Sequence, residues 1–404
     1  MTEKNNRRKF LIKESTRQRC KIWPYDEKTA RRFAPVSLEL FSYLREVSAI
    51  DFSLFIVACD EIIEFIKPNE LSAELLEQMW QASIRPGADI DICVLKADLP
   101  KFEALINQVR NKKIRIVLEK DRTLDARVLE LYSSLSSASQ MIVRGGINNH
   151  VANKAIDATA SIMSSQIDSD IAVGTLSRMI SCDSTLYDHS ASVAMLSATI
   201  AMSFLKNPLS REECQIVAQC GLYHDAGKSC VPNHVLNKPG SFTPEEFEIM
   251  KTHTILGYEE LRRAIDKGAP VNELAARVAM EHHERFKGRG YPHGKKGRLE
   301  DHAEGIHLYT RIISVADVYS ALLMKRVYKA AMSSTEAIEL MTKNADDDFD
   351  PEIFYPFCDH IRTSIEVFRE REKQSASGSV RMISEKESFS EALRNIKTER
   401  KHKS

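Results

Sequence analysis

GLYHDAGK, residues 221–228, follows a segment whose apolar residues recur at helical spacing, so His224 and Asp225 fall on adjacent positions of one helix. Adjacent helical positions point about 100° apart. An imidazole and a carboxylate so placed can converge on one ion while the carboxylate reaches a second, which is a dinuclear design. Lys228 lies one turn after His224 and can reach the same face. From about residue 150 onward the same helical spacing continues and strand signals nearly vanish. Breaks at Asn207-Pro208 and Lys238-Pro239-Gly240 separate the segments. The second half is expected to be all helix and the chain mainly α.

Working outward, AMEHHERFKGRGYP (279–292) places His282-His283 at the end of an apolar helix, just before a Gly-rich loop. Two neighbouring imidazoles are costly to bury without a partner. His189, in LYDHSASVAML, and His253, in KTHTILGYEEL, each lie on an expected helix, and Asp317 interrupts the apolar run RIISVADVYSALL. A carboxylate within such a run needs a cation or hydrogen-bond donors. Taken singly, each residue has an ordinary reading. A helical histidine is more often on the surface or satisfied in a core, Asp317 can bond a nearby Arg or hydroxyl, and Lys228 can cap a helix end. Together, His189, His224, His253, His282, His283, Asp225 and Asp317 supply nitrogen and oxygen ligands for two first-row divalent ions of the Fe, Mn, Ni or Zn kind. The chemistry so indicated is metal-assisted phosphodiester hydrolysis. His234, His293, His302, His307 and His360 lack such placement and read as structural.

The front half has a mixed pattern. Val36 to Val47 looks helical, Phe52 to Ala58 and Glu61 to Ile66 suit strands, and Pro68-Asn69 marks a turn. A helix is expected from Ser72 to Ala82, a strand from Ile90 to Leu95, a helix from near Asp98 to Val109, and a further strand from Ile114 to Leu118. Asp60, Asp89 and Asp91 lie near strand ends without the later lysine of a phosphoacceptor pocket, so this half does not read as a receiver. The expected division is a small α+β unit over 1–140, a helical unit over 150–368 and a charged tail over 369–404.

Composition bounds these readings. The 404 residues are 43% hydrophobic, enough to bury a large core over two or three domains. Lys+Arg and Asp+Glu balance at 57 each, which gives no reason to expect duplex nucleic acid as the main partner. The eight cysteines are scattered with no C-x-x-C pair and read as reduced thiols of a cytoplasmic protein. No apolar run approaches the ~20 residues of a membrane span, so membrane insertion is not expected.

HDAGK (224–228), His253 followed by Gly257, HHERFKGRGYP (282–292) and VADVYSALLMKRVYK (315–329), in this order, resemble the signature set of the HD-GYP family of HD-superfamily hydrolases. The resemblance covers roughly residues 150–365, and Phe52 to Val109 resembles the strand-strand-helix-strand-helix module that often precedes such domains. It implies an all-helical domain in which His189, His224, Asp225 and Asp317 hold one ion while Asp225, His253, His282 and His283 hold the other. Asp225 would be the bridge. It also implies phosphate-binding basic groups at Lys228, Arg326 and Lys329. Gly288, Gly290, Tyr291 and Pro292 match the family's GYP loop, in which Gly allows close backbone approach and Tyr offers a ring and a hydroxyl. In one straight helix Arg326 would face away from Asp317, so its assignment requires the helix to end or bend near Met324.

Departures from the family pattern accompany the matches. Thr185 stands where three-metal members have a glutamate, so two ions are expected. Phe286-Lys287 stands where Trp-Asp is usual, Ser320 where Asp is common and Val327 where Pro is frequent, which bears on substrate choice and rate. The resemblance implies a phosphodiesterase that opens cyclic di-GMP to linear pGpG or GMP, with cyclic GMP-AMP as the alternative substrate. A second reading is a signalling module that binds the dinucleotide or a partner protein without turnover. A hydrolase of nucleotide polyphosphates fits the GYP loop less well. The front module is expected to regulate the catalytic half or to make it a homodimer.

Overall fold

The computed structural model describes residues 18–36, 40–58, 61–85, 90–165, 167–182, 188–238, 240–297, 305–324 and 332–376. The front of the chain builds a five-stranded antiparallel sheet, in the order β1-β4-β3-β5-β2, from β1 (Lys21–Pro24), β2 (Phe33–Pro35), β3 (Leu54–Ala58), β4 (Glu61–Ile66) and β5 (Ile90–Leu95). Between the strands lie α1 (Glu27–Ala30), α2 (Phe41–Leu44) and α3 (Ala73–Ser83), and α4 (Leu99–Lys120) follows. Strand alternation turns Leu54, Ile56, Ile63, Ile92 and Val94 toward a core shared with α2, α3 and α4. Phe55, Ile62 and Cys93 form a smaller cluster with Phe33, Val57 and Leu95 on the opposite face.

Two front-half expectations change. Of the expected helix over Val36 to Val47, the described residues form only the single turn of α2, and residues 37–39 lie outside them. The expected strand Ile114 to Leu118 is instead the last part of α4. Its β-branched run resembles a strand, but Phe102, Ile106, Val109, Ile114 and Val117 are buried at three- to five-residue spacing while Ile116 faces out. The helical period therefore runs through both segments. The edge strands β1 and β2 went unread because they are three or four residues long, too short to show an alternation.

The remainder is helical: α5 (Ala126–Gly145), α6 (Asn149–Ser164), α7 (Ser169–Cys182), α8 (His189–Thr199), α9 (Arg211–Tyr223), α10 (Asn233–Leu236), α11 (Pro244–Lys251), α12 (His253–Asp266), α13 (Glu273–Glu281), α14 (Leu308–Leu323), α15 (Ser334–Thr342), α16 (Ala345–Asp348) and α17 (Pro351–Ala376). The one β feature described here is the bridge Lys287–Lys296. Every residue of α8 from Ala191 to Thr199 is buried, as are most of those of α14. Helices apolar all round belong at the centre of a helical body, and these two carry His189 and Asp317. The body's core takes in α5 to α9 and α12 to α17, and the two cores divide within α4, between Val109 and Ile114. No described helix is long and apolar enough to cross a membrane.

Candidate metal centre

Seven side chains from five helices meet, six at or beside helix ends and Asp317 from within α14. His189 opens α8, where Asp188 caps the helix by accepting from the Ala191 amide at 3.0 Å. His224 and Asp225 end α9, at the start of the 3₁₀ turn Ala226–Cys230. His253 begins α12, His282 closes α13, His283 follows it, and Asp317 lies within α14. Close approach of backbones makes this convergence possible. A Cβ on Gly227 would stand 2.0 Å from the His253 carbonyl oxygen and 2.3 Å from the Gly257 nitrogen, so the 3₁₀ turn and α12 touch where only glycine fits.

The centre falls into groups whose ligand atoms lie within 4.8 Å of one another: His189, His224 and Asp317; His224, Asp225 and His282; and His253, His282 and His283. Asp225 stands between them. Its Oδ2 is 3.3 Å from His224 Nε2 and 3.8 Å from His189 Nε2, whereas its Oδ1 is 3.4 Å from His253 Nε2 and 3.8 Å from His282 Nε2. Asp317 spans a similar gap, with Oδ1 3.0 Å from His189 Nε2 and Oδ2 3.9 Å from His283 Nδ1.

Neighbouring groups fix the ring orientations. His224, His253 and His282 donate from Nδ1 to the carbonyls of Gly221, Met250 and Ala279, each three residues earlier, at 2.7, 2.6 and 2.9 Å. That tautomer leaves each Nε2 with a lone pair turned inward. Nδ1 of His189 is 3.1 Å from the Ser320 hydroxyl, so the residue that departs from the family pattern serves to orient a ligand candidate.

Electrostatics favour the ligating forms of Asp225, Asp317, His253, His282 and His283. Burial pushes the Asp225 pKa up, but Lys228 and His224 pull it well below the usual carboxylate range. Asp317 behaves alike, with burial overcome chiefly by His189 and His283. Burial and neighbouring imidazoles hold His282 well below the ordinary histidine value, burial lowers His253, and burial takes His283 down to about 3. In His224, burial is outweighed by Asp225 and Asp317, and its pKa rises. His224 Nε2 and Asp225 Oδ1 are buried with no hydrogen-bond partner among the described residues. Three imidazoles held neutral, two ionised carboxylates and two orphaned inward-facing atoms fit a divalent cation, which would take the place of a proton on His224 between its two carboxylates.

The expected substrate groups are distributed around this centre. Lys228 Nζ is 2.5 Å from Asp225 Oδ2. The Tyr291 ring lies against His283 at 4.7 Å between centroids, and the Tyr291 amide donates to the His283 carbonyl at 3.2 Å. Gly290 allows this, since a Cβ there would stand 2.3 Å from the His283 oxygen. Two loop contacts were not legible in the sequence. The buried Glu284 carboxylate accepts from the amides of His293 at 2.7 Å and Lys295 at 2.9 Å, clamping the Gly-rich loop. Lys287 pairs with Asp347 at 2.7 Å, so the lysine in place of the family's usual Asp faces an acidic partner. Helix α14 ends at Leu323 and Met324 is extended, as the assignment of Arg326 requires, but Arg326, Val327 and Lys329 themselves, like Thr185, lie outside the described residues. Of the histidines read as structural, His360 stacks on Phe204 and pairs with Asp170, and His307 caps α14.

Residues 169–353 match the family model described as the HD domain. A cyclic di-GMP phosphodiesterase of Thermotoga maritima is 34% identical over 195 residues, covering 48% of this chain and 50% of that protein. A cyclic di-GMP phosphodiesterase of Pseudomonas aeruginosa is 35% identical over 204 residues, covering 50% and 46%. A 3'3'-cGAMP-specific phosphodiesterase of Vibrio cholerae is 36% identical over 166 residues, covering 41% and 33%. The chain thus spans half or less of the length of these curated relatives.

Proposed function

We propose, from the match of residues 169–353 to the HD-domain family model, that this chain is a dinuclear-metal phosphodiesterase hydrolysing cyclic di-GMP. The observation that carries the reading is the position of Asp225, whose two oxygens face different sets of imidazoles. In this assignment His189, His224, Asp317 and Asp225 would hold one cation, and His253, His282, His283 and Asp225 would hold a second. Iron or manganese suits such nitrogen and oxygen donors. A pair of such ions would supply Lewis acidity and an activated water at this site.

The chain's own groups do the rest. Lys228, at the edge of the centre, exchanges part of its contact with Asp225 for a phosphate oxygen of the substrate. The Tyr291 ring, which lies against His283, and the backbone at Gly290 are assigned to the substrate, and Arg326 and Lys329 to its phosphates on the strength of their place after Asp317. Ser320 holds His189, and Glu284 holds the loop that carries Tyr291. The sheet unit, joined to the body through α4, is assigned a regulatory role.

The test is turnover of cyclic di-GMP and cyclic GMP-AMP by protein purified without oxygen and reconstituted with Mn or Fe, beside Asp225→Ala, with metal content determined on both. Linear product from the parent alone, with about two ions per chain, supports the reading. Tight dinucleotide binding without product makes the protein a receptor instead.

A further inference from the structure

An exposed aromatic group lies next to the metal centre without being part of it. Phe247, on α11, is 45% exposed although it is a large apolar side chain. Its ring stands 6.4 Å from that of Tyr291 at 81°, and the Tyr291 ring is 4.7 Å from His283. One line of rings therefore runs from a ligand candidate to the surface. Lys251, one turn after Phe247 on the same helix, places its ammonium 5.4 Å from the Phe247 ring centre and 5.7 Å from that of Tyr291. It also pairs at 2.6 Å with Glu248, whose side chain is 69% exposed, so the carboxylate end of this pair is solvated and the pair is cheaply exchanged. Helix α11 has no buried residue at all, and its apolar positions are not spent on the core.

Resting on the phosphodiesterase reading above, we propose that Phe247 and Lys251 form the base subsite of the substrate: the Phe247 ring stacks on the purine next to the scissile phosphodiester, and the Lys251 ammonium reads its edge. An aromatic face takes any base by stacking. Selectivity comes from the lysine. Guanine presents two acceptors, N7 and O6, to a cationic donor, whereas adenine replaces O6 with an amino donor that a lysine repels. The subsite thus favours the dinucleotide with guanine at this position. Because Phe247 lies outside the ligand set, its contribution is to substrate affinity and not to the bond-breaking step.

The test uses the whole 404-residue chain, metal-reconstituted, and its variants Phe247→Ala, Phe247→Tyr and Lys251→Met. Turnover is measured with cyclic di-GMP, cyclic GMP-AMP and methyl 4-nitrophenyl phosphate, a small phosphodiester without a purine, and Kd is measured for a phosphorothioate cyclic di-GMP. Phe247→Ala should weaken Kd and raise KM for cyclic di-GMP by about 10- to 100-fold, with kcat and the small diester little changed. Phe247→Tyr should restore parental values. Lys251→Met should lower the ratio of kcat/KM for cyclic di-GMP over cyclic GMP-AMP by about tenfold. Equal losses on the purine substrates and the small diester, or unchanged affinity in Phe247→Ala, would overturn the subsite while leaving the phosphodiesterase intact. A parent that cleaves the small diester but neither cyclic dinucleotide would overturn both the subsite and cyclic di-GMP as the substrate.

Discussion

Gly227 meets the backbone of α12 with no space for a methyl group, the nearest atom being the His253 carbonyl oxygen. Gly227→Ala must therefore push α12 away from the 3₁₀ turn and carry His253 off Asp225. We expect a loss of about 1–3 kcal/mol in stability, read as a lower midpoint in thermal melts, together with reduced metal content after reconstitution; a variant with parental melting and metal content would contradict this. The histidines themselves set a pH dependence in metal-stripped protein. His253, His282 and His283 have folded pKa values below the ordinary 6.5, with His283 at about 3. The unfolded chain then takes up their protons first, so stability falls as pH drops from about 6.5, and for His283 the loss continues to about 3. His224, raised by its two carboxylates, acts in the opposite sense, and Asp225 and Asp317, both depressed, add to the acid loss below the carboxylate range. Urea titrations should give a lower midpoint at pH 5 than at pH 7; a higher one at pH 5 would show that the rings are not held neutral.

At the scale of elements, the start of α8 shows how one helix is aimed by another. The Tyr132 hydroxyl on α5 accepts from the Asp188 amide at 2.5 Å and donates to its carbonyl at 3.0 Å, while Ser136 donates to Asp188 Oδ2 at 3.1 Å. Asp188 thus caps α8 and ties it to α5 immediately before His189. Replacing Asp188 by Ala removes the cap and the Ser136 bond and leaves the two Tyr132 bonds, which go to backbone atoms. The expected cost is about 1–2 kcal/mol of stability, with metal affinity lower by about tenfold through misaligned His189. Equilibrium dialysis against a metal buffer, beside a denaturation curve, separates the two effects, and unchanged metal affinity would limit Asp188 to a capping role.

Across the whole molecule, α4 joins the sheet unit to the helical body. Phe102, Ile106 and Val109 enter the sheet's core while Ile114 and Val117 enter the body's. Between them Arg110 is fully buried, its guanidinium 5.6 Å from the Tyr43 ring centre, with Nη1 donating to Asn107 and to Ser137 on α5, both at 2.9 Å. Its Nε and Nη2 have no hydrogen-bond partner among the described residues. A buried donor without a partner costs more than an apolar group of the same shape. Ser137 also bonds Asn107 directly at 3.0 Å, so that pair survives loss of the arginine. Arg110→Met should accordingly be neutral or stabilising by about 1–2 kcal/mol in denaturant titrations; a large loss would mean that the guanidinium is satisfied in solution. A second link, from Asn233 Nδ2 to the Ile90 carbonyl at 2.8 Å, joins β5 to the segment that follows Lys228.

The sequence by itself determined that the second half is helical, because a 3.6-residue period is a local property, and it singled out His189, His224, Asp225, His253, His282, His283 and Asp317 as a set, because their order resembles the HD-GYP motifs and together they supply ligands that each alone would not. It misread Ile114 to Leu118, where a β-branched run mimics a strand and only burial against two cores shows the helical face. It also left Arg326 conditional on an end to α14, since a helix stops where neighbouring structure stops rewarding it. The pairing of each Asp225 oxygen with its own imidazoles, the hold of Ser320 on His189, the clamp of Glu284 and the rim of Phe247 and Lys251 were decided by the tertiary structure alone. These contacts join residues up to 131 positions apart, and distance in space between such residues is set by packing, which no local pattern records.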